Sequence, residues 1–488
     1  IETSVHDLET IFLSATRYKL NDYRPLLYKS TDGGKKWSSI NGNYPETEIS
    51  RVIREDPTCP GLLFVGSETG IFTSTNSGKN WQKLGGNFPV VPVYDMKIKQ
   101  DDLVVGTHGR SFWILDDLTP LRKFARKTSG KKKKGSGGVQ FFPPRTTFRR
   151  TLNWSVNLFL GDGKNYSPDF GMPGTHYEET SPEGEKRFRY LDMGENPPEG
   201  VIVNYFLESE PQEPLELVIL DAGGKEIERF TSKKSATDPK DIESKDEDEK
   251  PSLPAKPGFN RFVWNMRYPG PEVKIDKALE KPAYKPLGRG EGFPAGGPIA
   301  PPGKYQVQLK TSSAEITHSF EITKDPRLKT SAKDFAQQFE LWSEITNRVS
   351  ATNSAINKVR KINLQITELL GREIFTRSAP EKSLIAVKKA TESLMNKLSQ
   401  IENQLTQNQY ETPSDRLRHP TMLKQRMEAL VSVVSISDAA PPQQAYAVYE
   451  DLSSKIGDQL ALLSKLEKQD LPRVNKQIEQ AGIPKLQA

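Results

Sequence analysis

Cysteine is almost absent from this chain. Among its 488 residues only Cys59 is a cysteine, which excludes an internal disulfide framework and a metal site built from several thiolates. Histidine is scarce as well, and the five histidines are scattered rather than placed at the spacing of metal ligands. The sequence also lacks a phosphate-binding glycine loop, a nucleophile elbow and a zinc-binding HExxH helix. We therefore expect no metal and no cofactor, and the sequence predicts no catalytic residue.

Long apolar runs and a strong net charge are absent too. No segment approaches about 18 consecutive apolar residues, so we expect no membrane-spanning helix. The net charge is only +6, and part of it comes from the lysine run 131–134, which glycines and serines follow. Such a run is typical of a flexible insertion, predicted over 126–138, rather than of a nucleic-acid-binding face. The chain begins at Ile1 without a signal-peptide pattern, so we expect a fragment that has lost an N-terminal portion.

An octapeptide of the form S-x-[D/N]-x-G-x-x-W occurs at 30–37 and again 44 residues later, at 74–81. That period is close to the length of one four-stranded propeller blade. Asp or Asn can accept hydrogen bonds within its own turn, Gly supplies a left-handed backbone, and Trp buries a large ring between the strands of the blade. We therefore predict a structural turn whose defining residues are Ser30, Asp32, Gly34, Trp37, Ser74, Asn76, Gly78 and Trp81.

These repeats resemble the Asp-box (BNR) repeat of sialidases, xyloglucanase-type glycosidases and sortilin-like (VPS10) propellers. The segments VIREDP at 52–57, LLFVGSE at 62–68, THGRSFWILDD at 107–117 and ENPPEG at 195–200 resemble large bacterial secreted proteins described as sortilin-like or as BNR-repeat glycosyl hydrolase-like. The resemblance implies that residues 1–125 are the closing blades of a longer propeller. It also implies an extracytoplasmic protein, either secreted or periplasmic.

The pattern changes twice after the repeats. Residues 139–324 contain short alternating strands typical of an immunoglobulin-like β-sandwich, with a long loop over 155–195 and a charged insertion, predicted to be disordered, at about 237–257. From Phe335 the apolar period becomes 3.6 residues, and four amphipathic helices predict an antiparallel bundle over 325–488. The apolar stripes of these helices are interpreted as core, with self-association through the bundle as the alternative.

The best candidates for ligand binding are His108, Arg110, Asp116 and Asp117. They lie in the third repeat unit, and loops that join propeller blades gather near the central axis, where ligands bind. An arginine there could hold a carboxylate with two parallel hydrogen bonds. The alternative is that Arg110 and Asp117 only tie neighbouring blades together through ion pairs.

Two functions remain open at this point. The first is binding of a peptide or a polysaccharide by the inner propeller loops, with no bond making. The alternative is a glycoside hydrolase of the BNR-repeat type, which needs two carboxylates about 5–9 Å apart, and those acids would lie mostly in blades missing from this chain. Sialidases use an arginine triad with a Tyr–Glu pair, but the spacing of Arg51, Arg54, Arg110 and Tyr94 does not reproduce that pattern.

Overall fold

The computed structural model describes most of the chain, and its architecture is mostly β-sheet with a helical region at the C-terminus. The lysine run 131–134 and residues 237–250 of the predicted insertion lie outside the described residues. No helix among the described residues is long and apolar enough to cross a membrane. The described residues are 1–128, 138–150, 163–169, 172–180, 186–191, 198, 200–232, 251–279, 297–312, 314–371, 381–410, 412, 415, 417–482 and 484–487.

The first part of the chain forms three antiparallel sheets, each with its strands in sequence order. The first two sheets have four strands, and the third has three. This arrangement agrees with the predicted repeat of short strand units, while their identity as propeller blades stays a proposal. The strands are β1 Glu2–Thr3, β2 Ile11–Arg17, β3 Asp22–Ser30, β4 Ser38–Ser39, β5 Ser50–Glu55, β6 Leu63–Ser67, β7 Ile71–Ser74, β8 Gln82–Lys83, β9 Val93–Lys99, β10 Asp102–Thr107 and β11 Phe112–Leu115.

The second sheet is buried on both faces between the first and the third. Consecutive residues along a strand of this sheet face the first and the third sheet in turn, because successive side chains of a strand point to opposite faces. Ile53 and Leu63 pack with Phe12 of the first sheet, whereas Val52 and Phe64 belong to the core shared with the third sheet. Strand β6 is therefore buried along its whole length.

A helix and an aromatic cluster connect the third sheet to the next region. Helix α1, Thr119–Thr128, follows β11 and crosses the predicted boundary at 125. Its residue Ala125 packs in the core of the third sheet. On the other side, the ring of Phe124 lies 5.6 Å from Phe206 and 5.4 Å from Phe259. The helix thus packs between the third sheet and the strands that follow it.

Two further sheets pack face to face and share one core. The first has the order β12-β17-β20, and the second has the order β13-β22-β21-β18-β19, in which β13 and β22 are parallel. Their packed faces agree with the sandwich prediction, and the immunoglobulin-like assignment stays a proposal. The strands are β12 Val139–Phe141, β13 Thr147–Arg149, β17 Val201–Leu207, β18 Glu216–Leu220, β19 Glu226–Thr231, β20 Gly258–Trp264, β21 Gly303–Lys310 and β22 Glu315–Lys324.

Two segments differ from the sequence-based expectation. The long loop expected over 155–195 contains an antiparallel three-stranded sheet made of β14 Gly163–Asp169, β15 Met172–Thr180 and β16 Lys186–Tyr190. The backbone hydrogen bonds of this sheet form without an alternation of apolar and polar residues. Its polar sequence therefore does not predict strands. The last part of the predicted insertion is also packed, because Leu253 is buried and its N–H donates to the Thr231 carbonyl at 3.0 Å.

Five α-helices form the described part of the C-terminal region. Four occur where the 3.6-residue period predicts them, and the apolar residues of their stripes form one core. The fifth follows a single π-turn, Leu466–Asp470, and was not predicted. Self-association through the bundle stays a prediction. The helices are α2 Ala332–Gly371, α3 Glu381–Leu405, α4 Leu423–Ser435, α5 Gln443–Lys465 and α6 Leu471–Gln480.

Candidate functional site

The two octapeptide motifs form the same turn, each between the third and fourth strands of its sheet. In the first copy, the Ser30 hydroxyl donates to Asp32 Oδ1 at 2.8 Å, and the Gly34 N–H donates to Ser30 Oγ at 2.9 Å. Asp32 Oδ1 also accepts the Lys36 N–H at 2.8 Å. Gly34 has a φ of +90°, which a residue without a Cβ adopts at little cost. The Asp and Gly of the motif are therefore used inside the turn.

The second copy repeats this pattern with Asn in place of Asp. The Ser74 hydroxyl donates to Asn76 Oδ1 at 3.0 Å, and the Gly78 N–H donates to Ser74 Oγ at 2.9 Å. The Asn80 N–H donates to Asn76 Oδ1 at 2.9 Å. Since a neutral amide oxygen replaces the carboxylate without changing the bonds, the motif needs an acceptor at this position and not a charge.

The two tryptophans of the motif differ in burial. Trp81 is only 3% exposed, and its indole N–H donates to the Ile40 carbonyl at 2.8 Å. Trp37 is 40% exposed. The ring of Trp81 is thus buried beneath residues 40–44, which follow β4, whereas the ring of Trp37 stays partly exposed.

The motifs and the predicted binding residues His108 and Arg110 lie at opposite ends of the sheets. Neighbouring antiparallel strands alternate in direction, so turns between second and third strands lie opposite to turns between third and fourth strands. We call the end that carries turns 18–21, 68–70 and 108–111 the loop end. The other end, with the octapeptide turns, also carries the β9–β10 connection and the residues that follow β11.

A compact group of aromatic and charged side chains lies at the loop end. The guanidinium of Arg51 lies over the Tyr94 ring at 4.4 Å and over the Tyr18 ring at 5.6 Å, and it forms an ion pair with Glu68. The ring of His108 meets Tyr94 edge-on, with 5.0 Å between centroids. We call Tyr18, Arg51, Glu68, Tyr94 and His108 the loop-end cluster. Because they come from the ends of five different strands, only the fold brings them together.

The hairpin tip beside this cluster presents Arg110. The Arg110 N–H donates to Thr107 Oγ1 at 3.1 Å, and its carbonyl accepts the Trp113 indole N–H at 3.0 Å. His108 donates its backbone N–H to the Pro92 carbonyl at 2.9 Å. The backbone of the tip is thus held while the side chains of His108 and Arg110 stay exposed.

Asp116 and Asp117 do not join His108 and Arg110. The four residues of β11 separate the two pairs, a distance of about 13 Å at the usual rise of a strand. Asp117 is buried and structural: its Oδ1 accepts the Thr119 N–H at 3.0 Å at the start of α1, and its Oδ2 accepts the Asn204 side-chain amide at 2.8 Å. It ties the third sheet to β17 through these hydrogen bonds.

Asp116 lies at the end of the sheets that carries the octapeptide turns, and its carboxyl has an unusual electrostatic environment. Burial raises the pKa of its carboxyl above the ordinary range, and the nearby charge of Asp102 raises it further. The charges of Arg261 and Arg145 oppose this increase. Asp102 itself accepts the Asp117 N–H at 2.9 Å and an Arg145 guanidinium N–H at 2.5 Å. The carboxyl of Asp116 is therefore held by burial in an environment that disfavours its charge, whereas the neighbouring carboxylate of Asp102 accepts two hydrogen bonds.

A cleft of about 560 Å³ opens beside Asp102. The third sheet, the segment that contains β13 and the turn before α2 all contribute to its walls. No sequence motif indicates this cleft, because the segments that line it are far apart in the chain. The dense Arg and aromatic content of Arg145-Thr-Thr-Phe-Arg-Arg150 is the one local signal that could have pointed to it.

Metal ligands are not grouped in the described part of the chain: no three His, Cys, Asp or Glu side chains there are placed to hold an ion.

No protein-family model and no curated protein matches the chain. Among solved structures it is similar to a GH74 xyloglucanase from Xanthomonas campestris, with 12% identity, coverage of 45% of this chain and 40% of that chain, and a TM-score of 0.19. A GH74 enzyme from Niastella koreensis gives 12% identity, coverage of 66% and 46%, and a TM-score of 0.20.

The extracellular domain of a protein described as a one-component system from B. thetaiotaomicron gives 12% identity, coverage of 62% of this chain and 34% of that chain, and a TM-score of 0.16. The chain thus spans less than half the length of each of these structures. At such low TM-scores the likeness assigns neither a blade arrangement nor an activity.

Proposed function

We propose that this protein binds an extended polymer, a polysaccharide or a peptide, at its loop end, and that it does so outside the cytoplasm without making or breaking bonds. The observation that carries the proposal is two exposed aromatic rings at the loop end, one of which, Tyr94, packs on the Arg51–Glu68 ion pair. Tyr94 is 47% exposed and Phe112 is 78% exposed, and both flank the tip that presents Arg110. Exposed aromatic rings beside an arginine are typical anchors of binding surfaces.

The rigidity of this surface supports the proposal. The Arg51 guanidinium packs on one ring of the cluster and pairs with Glu68, so the Tyr94 ring has a fixed position before any ligand arrives. A surface that is already ordered loses little conformational entropy on binding, which favours affinity.

Affinity electrophoresis tests the proposal. The protein is run in native gels that contain xyloglucan, other β-glucans or pectin, and a peptide library is screened in parallel. We expect at least one polymer to retard the wild type, and Tyr94→Ala and Arg110→Ala to weaken binding about 10-fold each, as for a typical interface anchor.

Control variants lie in the helical region, away from the cluster. Leu462 of α5 and Arg473 of α6 are exposed, and Leu462→Ala and Arg473→Ala should leave retardation unchanged. Equal effects of the test and control variants would contradict binding at the loop end. Failure of every polysaccharide and every peptide to bind would remove the proposal itself.

Glycoside hydrolysis remains a second candidate because of one observation at the other end of the sheets. Asp116 has a raised pKa beside the hydrogen-bonded carboxylate of Asp102, and carboxyl pairs in unlike surroundings can divide the roles of acid and base. If this pair is catalytic, Asp116→Asn should abolish the release of reducing ends from an oligosaccharide while hydrogen exchange stays native. Absence of release by the wild type would exclude hydrolysis of the sugars tested.

A further inference from the structure

The outer edge of β11 pairs with no other strand in the described part of the chain. The first two sheets each end in a short fourth strand, β4 and β8, whereas the third sheet ends at β11. After β11 the backbone turns at Asp117, whose φ is +66°, and enters α1 at Thr119, so the segment that follows does not continue as a fourth strand. An open edge of this kind can add a strand from another chain.

The backbone groups of Phe112 and Ile114 point out of this edge. At the start of the hairpin, the Thr107 N–H donates to the Ser111 carbonyl at 3.2 Å, so these two residues form a hydrogen-bonded pair. Hydrogen-bonded and non-hydrogen-bonded pairs alternate along an antiparallel ladder. Trp113 lies two residues further along the same register, so its N–H and C=O also point towards β10. The N–H and C=O groups of Phe112 and Ile114 are therefore left at the open edge.

The side chains along this edge are complementary to the same edge running in the opposite direction. Phe112 and Ile114 face one side of the sheet and are 78% and 56% exposed. Arg110 stands two residues before this apolar pair, and Asp116 stands two residues after it. In an antiparallel copy, Phe112 therefore lies opposite Ile114, and Arg110 lies beside Asp116.

The two flanking charges can both take part in such a contact. The Arg110 side chain is exposed and forms no ion pair with any other described residue. Asp116 is half-buried, and the charges of Arg261 and Arg145 act on its carboxyl, which accepts no hydrogen bond from the described residues. Opposite charges at the two ends of a strand pair favour one register over others.

One register of two such edges satisfies the backbone and the side chains together. With Phe112 opposite Ile114 of the second copy, the outward backbone groups of both residues meet as a hydrogen-bonded pair. The same pair recurs on the other side of the two-fold axis, which passes between the two Trp113 residues. A shift by two residues keeps the backbone hydrogen bonds but moves Arg110 away from Asp116.

We propose that two copies of this chain pair antiparallel through the open edge of β11, with Phe112 opposite Ile114 and Arg110 beside Asp116 of the second copy. A second copy is favoured over an unrelated peptide because the edge itself carries the complementary residues in reverse order. Only the four residues of β11 and the two flanking charges take part, so the contact belongs to the weak, reversible class of interfaces. The pairing does not depend on polymer binding, although Arg110 and Phe112 belong to both surfaces.

Sedimentation velocity between about 10 μM and about 1 mM protein tests the proposal, because a short interface dissociates in this range. We expect the average mass of the wild type to rise towards that of a dimer. Arg110→Glu and Asp116→Arg should each weaken association at least about 10-fold, because each places like charges at both ends of the pair. An equimolar mixture of these two variants should associate again, because opposite charges then meet at both ends.

Two further variants separate this contact from the rest of the molecule. Ile114→Lys places a charge on the open edge and should abolish pairing without altering the flanking residues. Tyr94→Ala should weaken polymer binding and leave association unchanged, so a failure of pairing is distinguishable from a failure of polymer binding. A wild type that stays monomeric at the highest concentration would overturn the proposal. So would association that persists in Ile114→Lys, or a mixture of the two charge variants that stays monomeric.

Discussion

Replacing the two motif tryptophans separately by alanine tests whether burial, rather than the motif itself, sets the stability of each sheet. Trp37 and Trp81 occupy the same position of the same turn, and neither side chain contributes to the hydrogen bonds of Ser30 and Ser74. The two substitutions therefore leave the turn intact. They differ in how much packed surface each removes, because Trp81 is 3% exposed and Trp37 is 40% exposed.

The structure gives the size of each effect. A buried aromatic residue changed to alanine costs about 3–5 kcal/mol, so Trp81→Ala should cost about 4 kcal/mol. Part of that loss comes from the edge contact with Tyr44, at 5.9 Å between centroids, and from the hydrogen bond of the indole to Ile40. Trp37→Ala should cost about 1–2 kcal/mol, because less of its surface is removed from water.

Hydrogen–deuterium exchange measured by mass spectrometry can resolve these effects sheet by sheet. Since each 1.4 kcal/mol corresponds to about a tenfold change in an equilibrium, Trp81→Ala should speed exchange in peptides from 50–83 by about 1,000-fold. Trp37→Ala should speed exchange in peptides from 11–39 by about 10-fold. Equal acceleration of exchange in the two variants would refute the claim that residues 40–44, which cover Trp81, stabilise the second sheet more than the motif itself does.

Three further outcomes follow from other contacts. Arg149→Met should lower the free energy of unfolding by about 3–5 kcal/mol in urea titrations, because it removes the buried ion pair between the guanidinium and Asp438, and adding Asp438→Leu should recover most of it. Hydrogen bonding from Arg327 lowers the pKa of Asp325 to about 2. Its stabilising contribution is thus present above the unfolded value of about 3.9 and is lost as pH falls towards 2, so NMR titration of Arg327→Ala should show a higher pKa. The Cys59 thiol is buried, and burial raises its pKa, so the native protein should resist a thiol-specific reagent that labels one thiol per chain after denaturation.

Local patterns in the sequence predict local structure well in this chain. The side chains of Ser30 and Asp32 bond within their own turn, so the octapeptide alone is enough to predict it. The helices after Phe335 follow from the period of their apolar residues, which are buried together in one core. In both cases the interacting groups lie within a few residues or on one periodic face.

Contacts between distant segments explain what the sequence did not predict. Arg149 meets Asp438 across 289 residues, and β13 pairs in parallel with β22, so neither partner carries a local signal for the other. The separation of Arg110 from Asp116 has a local origin instead: both belong to one short segment, but strand β11 lies between them and places them at opposite ends of the sheet. Candidate residues close in sequence were thus divided, and the cleft was assembled from remote ones.

The most direct test of binding at the loop end is hydrogen–deuterium exchange of the wild type with and without the polysaccharide or peptide that binds it in the screen. We expect the ligand to slow exchange in peptides that cover 91–95 and 107–112, and to leave exchange of the motif turn 30–37 unchanged. Protection confined to the motif turns or to the helical region would contradict the account, because the ligand would then bind away from Tyr94 and Arg110.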